Sequence, residues 1–398
     1  MTRIIGLVGK PNCGKSTFFN ASTMAGAEIA NYPFTTIKAN RGVGFVRVKC
    51  ACKELGVECK PNHGSCHNGT RLVPIDLLDV AGLVKGAHEG KGLGNQFLDD
   101  LRQADALLHI IDSAGATDAE GKPCNPGEHN PVEDVAFLEE EIDLWFLSLL
   151  KKDWQKLTRE IQQMKKDVAK GLAERFSGLG VTESMIIKAA KDSELNINEP
   201  ANWDEAGLKQ FATKMREISK PILLCANKCD IQEAEKNLKP LEETGNMTIP
   251  TSADSELALR RAAEKNLIKY YPGETDFTFE EGLSDEQKKG LTFIKGNVLK
   301  KFNGTGVQQA LDKAAFEMLD LIAVFPVEDE NKYTDKNGNP LPDVHLVPKG
   351  TTAKQLAYKI HTDIGDKFIC GVNAKTKMKL GADHELKDGD VIKISCSK

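Results

Sequence analysis

The sequence predicts an α/β protein: a mostly parallel, doubly wound sheet, a helical insertion in mid-chain, and a small β-grasp (ubiquitin-like) unit at the end. Three observations predict it. Apolar runs at Ile4 to Val8, Leu72 to Val80, Ala106 to Asp112 and Pro221 to Ala226 each stop at a turn or polar motif, as buried parallel strands do. Between the last two, Leu138, Ile142, Trp145 and Leu149 recur at helical spacing. From Leu321 onward the order becomes strands, one helix, then strands.

A chain of 398 residues exceeds one ordinary core. The expected units are residues 1–125 with 218–280 (the first domain, carrying a Cys-rich insertion at 49–70), a helical insertion at 126–217, a helical connector at 281–320, and the β-grasp unit at 321–398. A net charge of −5 gives no global electrostatic footprint for nucleic acid, and nothing points to DNA. No apolar run approaches the roughly 18 residues of a membrane span. Ten cysteines without an export signal suit a reducing compartment, so a cytoplasmic monomer is expected.

The first strand leads into Gly9-Lys10-Pro11-Asn12-Cys13-Gly14-Lys15-Ser16 and then Thr17-Phe18-Phe19. Strand, glycine-rich turn and helix form the context of a P-loop, whose backbone N–H groups and helix N-terminus bind phosphate. Asn12, Cys13, Gly14, Lys15, Ser16 and Thr17 are the expected cradle. Lys15 would reach the terminal phosphates and Ser16 would ligate Mg²⁺. Next, Asn31 to Thr36 forms a Pro-containing turn whose Thr36 can complete the Mg²⁺ shell, as a first switch. The strand ending Asp79-Val80-Ala81-Gly82 places Asp79 at the sheet edge, where it can hold a Mg²⁺-bound water, and the Gly82 N–H can touch the γ-phosphate. Gly86, Gly90, Gly92 and Gly94 make the following stretch a flexible second switch.

The strand from Pro221 ends in Asn227-Lys228-Cys229-Asp230. A carboxylate at Asp230 can accept from guanine N1–H and the 2-amino group, donors that adenine lacks. Asn227 can bond the base edge, the Lys228 stem can lie on the purine face, and the Ala253 N–H in Thr251-Ser252-Ala253-Asp254 can bind guanine O6. Four such motifs in this order, each after an apolar strand, point to GTP.

GKPNCGKS, YPFTT, DVAGLVKGAHEGKGLGNQFLDDLRQAD, NKCD and TSAD together resemble the Obg-related GTPases, and within them the YchF branch of archaeal type. HLVPKGTTAKQLAYKIHTDIG and ELKDGDVIKI resemble the TGS domain that closes the chain in that family. The resemblance implies a P-loop GTPase domain, hydrolysis of GTP, and contact with ribosome or tRNA. Bacterial and eukaryotic YchF proteins lack the NKxD aspartate and prefer ATP, so the intact NKCD here favours GTP over the ATPase alternative. A non-enzymatic alternative is a nucleotide-gated scaffold for RNA or ribosome. Lys and acidic residues from Leu321 to Lys398 number 12 and 11, a balance that argues against strong nonspecific phosphate binding.

Leu83 stands where many GTPases carry a water-positioning glutamine, so slow intrinsic hydrolysis is expected. His88 on the second switch is a candidate replacement, weighed against an ordinary exposed loop histidine. In K⁺-activated relatives an asparagine at the position of Asn12 helps hold K⁺ between the phosphates, which implies K⁺ stimulation; the alternative is a purely loop-stabilising Asn12.

Cys50, Cys52, Cys59 and Cys66 fall in one turn-rich segment with His63 and His67. Structural Zn²⁺, disulfides and free thiols all remain open, because the spacing is not the paired C-x₂-C of common ribbons. In the helical insertion, expected to pack as an antiparallel pair of long helices, Lys151 to Lys170 reads as a solvated face rather than an RNA contact. Helical patterning from Asp285 to Leu321 breaks near Asn303 to Gly306, Asp335 to Asn339 suggests a hairpin-like turn, and Thr351 or Thr352 can cap the β-grasp helix.

Overall fold

The computed structural model describes residues 3–23, 40–82, 86, 94–152, 154–163 and 167–397. Thr36, Leu83 and His88 lie outside them.

The main sheet comprises β1 (Ile4–Val8), β2 (Arg41–Lys49), β3 (Cys66–His67), β4 (Thr70–Asp79), β5 (Ala106–Asp112), β6 (Ile222–Asn227) and β7 (Met247–Pro250). Its order is β2-β4-β1-β5-β6-β7, with β3 beside β4. Strands β4, β1, β5, β6 and β7 are mutually parallel, whereas β2 and β3 run antiparallel to β4. Every residue of β5 and β6 is buried, as the unbroken apolar runs require of strands covered on both faces. Parallel strands share one carboxyl edge, so the loops after β1, β4, β6 and β7, where the sequence motifs lie, converge there.

Helix α1 (Lys15–Thr23) follows β1. The short α2 (Cys52–Leu55) lies in the Cys-rich insertion, and α3 (Gly94–Gln103) precedes β5. The helical insertion is α4 (Pro131–Lys151), α5 (Trp154–Gln163), α6 (Val168–Phe176), α7 (Glu183–Asp192) and α8 (Glu205–Ser219). Asn130 caps α4, its side chain accepting from the Val132 N–H, with Pro131 in the first turn where no N–H is needed. Leu138, Ile142 and Trp145 are buried as their spacing predicts, and α4 packs mainly on α8. Asp143 fixes that pair by accepting from Arg216 Nε at 2.8 Å and Thr213 Oγ1 at 2.7 Å. The expected pair of long helices is thus α4 with α8. Between them the chain forms three shorter helices, α5, α6 and α7. This core merges with one face of the sheet through Val8, Leu78 and Leu107.

Helices α9 (Glu235–Glu242) and α10 (Ala253–Glu264) flank β7. The small hairpin β8 (Ile268–Lys269) with β9 (Thr278–Phe279) precedes the connector, which contains α11 (Asp285–Ile294), α12 (Lys300–Phe302) and α13 (Val307–Lys313). The helix breaks at the predicted place, where Asn303 takes φ 56° and Gly306 takes φ 82°.

The C-terminal unit is β10 (Leu321–Val327), β11 (His345–Pro348), α14 (Ala353–Ile360), α15 (Thr362–Asp366), β12 (Phe368–Asn373), β13 (Lys379–Leu380) and β14 (Val391–Cys396). The order β11-β10-β14-β12-β13, with first and last strands parallel in the middle, is the β-grasp arrangement. Thr352 caps α14 in a capping box with Gln355. This unit shares a core with the first domain: Phe325, Leu341 and Val391 belong to the same apolar cluster as Val46, Cys50, Cys52 and Leu311. Among the described residues no helix is long and apolar enough to cross a membrane.

Candidate nucleotide-binding site

The turn after β1 carries two left-handed residues, Asn12 at φ 61° and Gly14 at φ 96°. A Cβ on Gly14 would stand 2.1 Å from Asn227 Nδ2, so both the conformation and the close approach require glycine. Helix α1 starts at Lys15, with Ser16 exposed and Thr17 half-buried in its first turn. Lys15 Nζ donates to Asp79 Oδ1, so the loops after β1 and β4 already meet at an ammonium–carboxylate pair. The Cys13 side chain points into the core, and burial pushes its thiol up to about 11. Only the Cys13 backbone is then available to the cradle. No neighbour crowds the position of a Gly82 Cβ among the described residues.

Asn227 has partners in the fold that the sequence reading did not include. It is buried, its Nδ2 donates to the Cys13 carbonyl at 2.9 Å, and its Oδ1 accepts from the Ala253 N–H at 3.0 Å. The amide thus ties the phosphate loop to the loop after β7 with one N–H and one lone pair, and its second Nδ2 hydrogen and second Oδ1 lone pair remain for another partner. The Ala253 N–H, expected to meet guanine O6, donates to this Asn227 oxygen in the structure. Sequence spacing cannot reveal this, because Cys13 and Asn227 are 214 positions apart.

Lys228 takes φ 63°, and its Nζ reaches Asp112 Oδ2 at 2.8 Å. Asp112 is fully buried at the end of β5 and also accepts from Thr117 Oγ1 at 2.9 Å. This contact holds the Lys228 side chain at the carboxyl ends of β5 and β6, where Asp112 and Asn227 are register partners. Asp230 Oδ1 accepts from Ser252 Oγ at 2.7 Å, which orients the carboxylate. Ser252 also caps α10, accepting from the Ser255 N–H.

Lys10 was not singled out by sequence, and Asn12, which was, has a partner there that the sequence does not reveal. Lys10 is buried, donates to the Thr117 carbonyl at 2.9 Å, and pairs with Asp134 of α4 at 2.8 Å. Asn12 Nδ2 donates to the Gly121 carbonyl at 2.9 Å. The segment between β5 and α4 is thereby laid over the P-loop, and the loop is coupled to the helical insertion. The one signal in the sequence was a lysine in a loop position that phosphate binding does not need.

Away from this site, Cys50, Cys52, Cys59 and Cys66 converge, with all four Sγ atoms within 4.8 Å of one another. None of the four is in a disulfide.

Comparison with known proteins gives a consistent picture. Residues 4–173 match the family described as 50S ribosome-binding GTPase, residues 225–329 the Obg-like GTPase YGR210-like, G4 motif-containing domain, and residues 332–396 the TGS domain. A Methanocaldococcus jannaschii protein described as an uncharacterized GTP-binding protein is 50% identical over 393 residues, 98% of each chain. The Escherichia coli O157:H7 ribosome-binding ATPase YchF is 28% identical over 415 residues, 97% of each. The crystal structure of a GTP-binding protein from Pyrococcus horikoshii superposes with TM-score 0.78 at 38% identity, covering 100% of both chains.

Proposed function

The chain belongs to the YchF-type, Obg-like family of GTP-binding proteins, and from that premise we propose that it hydrolyses GTP and uses its nucleotide state to control contact with the ribosome or tRNA. The observation that carries guanine selectivity is the Asp230 carboxylate, oriented by Ser252 at 2.7 Å. One oxygen is held while the carboxylate edge remains an acceptor for the N1–H and 2-amino pair. This favours GTP even though several relatives are described as ATPases.

The residues at the sheet edge fit Mg²⁺. The Ser16 hydroxyl and Asp79 carboxylate are hard oxygen donors, and the Lys15 contact with Asp79 brings their loops together. Thr36 would supply a third oxygen. When bound, Mg²⁺ would offset phosphate charge. Lys15 would direct its ammonium to the terminal phosphates, and the Gly82 N–H would donate to the γ-phosphate. With aliphatic Leu83 after Gly82, water is left to be oriented by other means, and His88 is our candidate. Asn12 keeps its Oδ1 as an oxygen donor while Gly121 holds its Nδ2, an arrangement that supports K⁺ stimulation. Equal turnover in K⁺ and Na⁺ at one ionic strength would refute that role.

The decisive measurement is competition binding of GTP and ATP to the wild type and to Asp230→Asn. The wild type should prefer GTP. The variant should lose GTP and gain xanthosine triphosphate, whose 2-oxo group suits an amide donor. Comparable wild-type affinities for GTP and ATP would defeat the assignment. Ribosome co-sedimentation in GDP, a nonhydrolysable GTP analogue and no nucleotide tests the effector, and single-turnover hydrolysis unaffected by ribosomes would favour the scaffold reading.

A further inference from the structure

We propose that Cys50, Cys52, Cys59 and Cys66 form a closed tetrahedral-thiolate site for Zn²⁺, and that the metal fixes the segment on which the C-terminal β-grasp domain is seated. Cys50 follows β2, Cys52 opens α2, Cys59 lies in the following loop, and Cys66 begins β3. The Cys50 and Cys59 sulfurs are 3.8 Å apart, and those of Cys52 and Cys66 are 3.9 Å apart. Four sulfurs about 2.3 Å from a common centre would stand about 3.8 Å from one another at tetrahedral corners. A disulfide instead brings one pair to about 2.05 Å and leaves the other pair indifferent. Here two pairs share nearly one spacing and all four sulfurs fall within 4.8 Å, which is the pattern of ligands around one point.

Soft thiolates in a tetrahedral set select zinc over the hard cation of the nucleotide site. Each Zn–S bond replaces an S–H bond, and the proton goes to solvent. Cys50 and Cys52 are buried and Cys59 and Cys66 half-buried, so the site is enclosed by protein and suited to structure rather than to catalysis.

The segment needs such a centre. Its regular structure is the four residues of α2 and the two of β3. The rest is turns, at Gly56 (φ 65°), Gly64 (φ 70°) and Gly69 (φ 84°). Between the ligands Cys59 and Cys66 the chain turns outward to the β-grasp domain. There the Lys60 N–H donates to the Pro340 carbonyl at 2.9 Å, the Asn62 N–H donates to the Pro342 carbonyl at 2.9 Å, and Asn62 Nδ2 donates to Asp343 Oδ1 at 3.1 Å. Arg71, fully buried just beyond Cys66, donates to the Leu341 and Pro342 carbonyls. Across α2, Glu54 pairs with Lys375 at 2.7 Å. A ligand at each end of 59–66 holds the two donating amides in register with the carbonyls of the 340–343 turn. Loss of the metal would release that register while leaving intact the P-loop, which follows the carboxyl end of β1 at the opposite edge of the sheet from Cys66 and the start of β4.

The test uses the full chain purified without chelator. Elemental analysis should find a single zinc per chain, and Co²⁺ substitution should give the visible bands of tetrahedral thiolate coordination. Stripping the metal under reducing conditions, or the Cys59→Ser and Cys66→Ser variants, should speed amide exchange at Lys60 and Asn62 by about tenfold or more. GTP affinity should stay unchanged, as the check that the chain remains folded. Iron in place of zinc, a metal-free chain with four freely alkylated thiols, or thiols that resist alkylation until reduced would overturn the site. Zinc whose removal leaves exchange at Lys60 and Asn62 unaltered would overturn the seating role.

Discussion

Replacing Asn227 with alanine should weaken GTP binding by loosening the two loops that the side chain ties together. The substitution removes the partner of the Cys13 carbonyl, 2.9 Å from Nδ2, and of the Ala253 N–H, 3.0 Å from Oδ1, at a residue that is 3% exposed. Leaving a buried backbone group without a partner costs about 1–3 kcal/mol. Two such groups give about 2–6 kcal/mol, and the lower bound corresponds to about 30-fold in affinity. The lower bound is the better guide, since freed loops can relax toward water. Titration with GTP and with 7-deaza-GTP, which lacks the N7 acceptor on the Hoogsteen edge, separates positioning from base contact. A positioning residue gives the same fold-loss on both ligands. If the penalty seen with GTP vanishes with 7-deaza-GTP, Asn227 bonds the base and the reasoning fails.

Three more predictions follow from buried polar groups. Lys10→Met leaves Asp134 with His129 alone at 2.9 Å, so stability should fall by about 3 kcal/mol, and a cycle with Asp134→Asn should show the two losses to be far from additive. Additive losses in urea denaturation would show that the P-loop and α4 are not coupled through this pair. Glu256 is fully buried and accepts from Arg260 and from Tyr270 at 2.7 Å, so Glu256→Gln strands the Arg260 charge and should cost about 3–5 kcal/mol; a loss under about 1 kcal/mol would contradict it. His109 sits in the middle of β5, and burial pushes its pKa down from 6.5 to about 3. Between those values the unfolded chain binds a proton that the native chain refuses, so this group lowers stability as pH falls below 6.5. The loss should reach about 2 kcal/mol by about pH 5, and His109→Leu should flatten that part of the stability profile. An unchanged slope in the variant would remove His109 as the cause.

The parallel sheet was legible because strands covered on both faces must be apolar throughout, and β5 and β6 are. The β-grasp order was legible because each of its turns and caps is a local device: Asp335 accepts from the Asn337 and Asn339 N–H groups, and Thr352 caps its helix. The motif positions followed from those strands, since a loop at the carboxyl end of a parallel strand has its place set by the strand.

By itself, then, the sequence determined which residues stand on the loops at the carboxyl edge of the parallel sheet. Tertiary structure decided what those residues do once there. Asn227, expected at the base edge, also became a strut between two loops, because its partners are backbone groups that no side-chain pattern encodes. Lys10 became a link to the helical insertion, because its acceptor Asp134 lies on a helix whose approach is set by packing. The four cysteines, undecided between metal, disulfide and free thiol on spacing alone, acquired a common centre only when β2, α2 and β3 folded together. The β-grasp domain was likewise placed by backbone carbonyls at 340 and 342 meeting amides at 60 and 62. In each case the decisive partners are distant in sequence and largely main-chain atoms. Composition and periodicity carry no record of such pairings, and only the folded chain makes them.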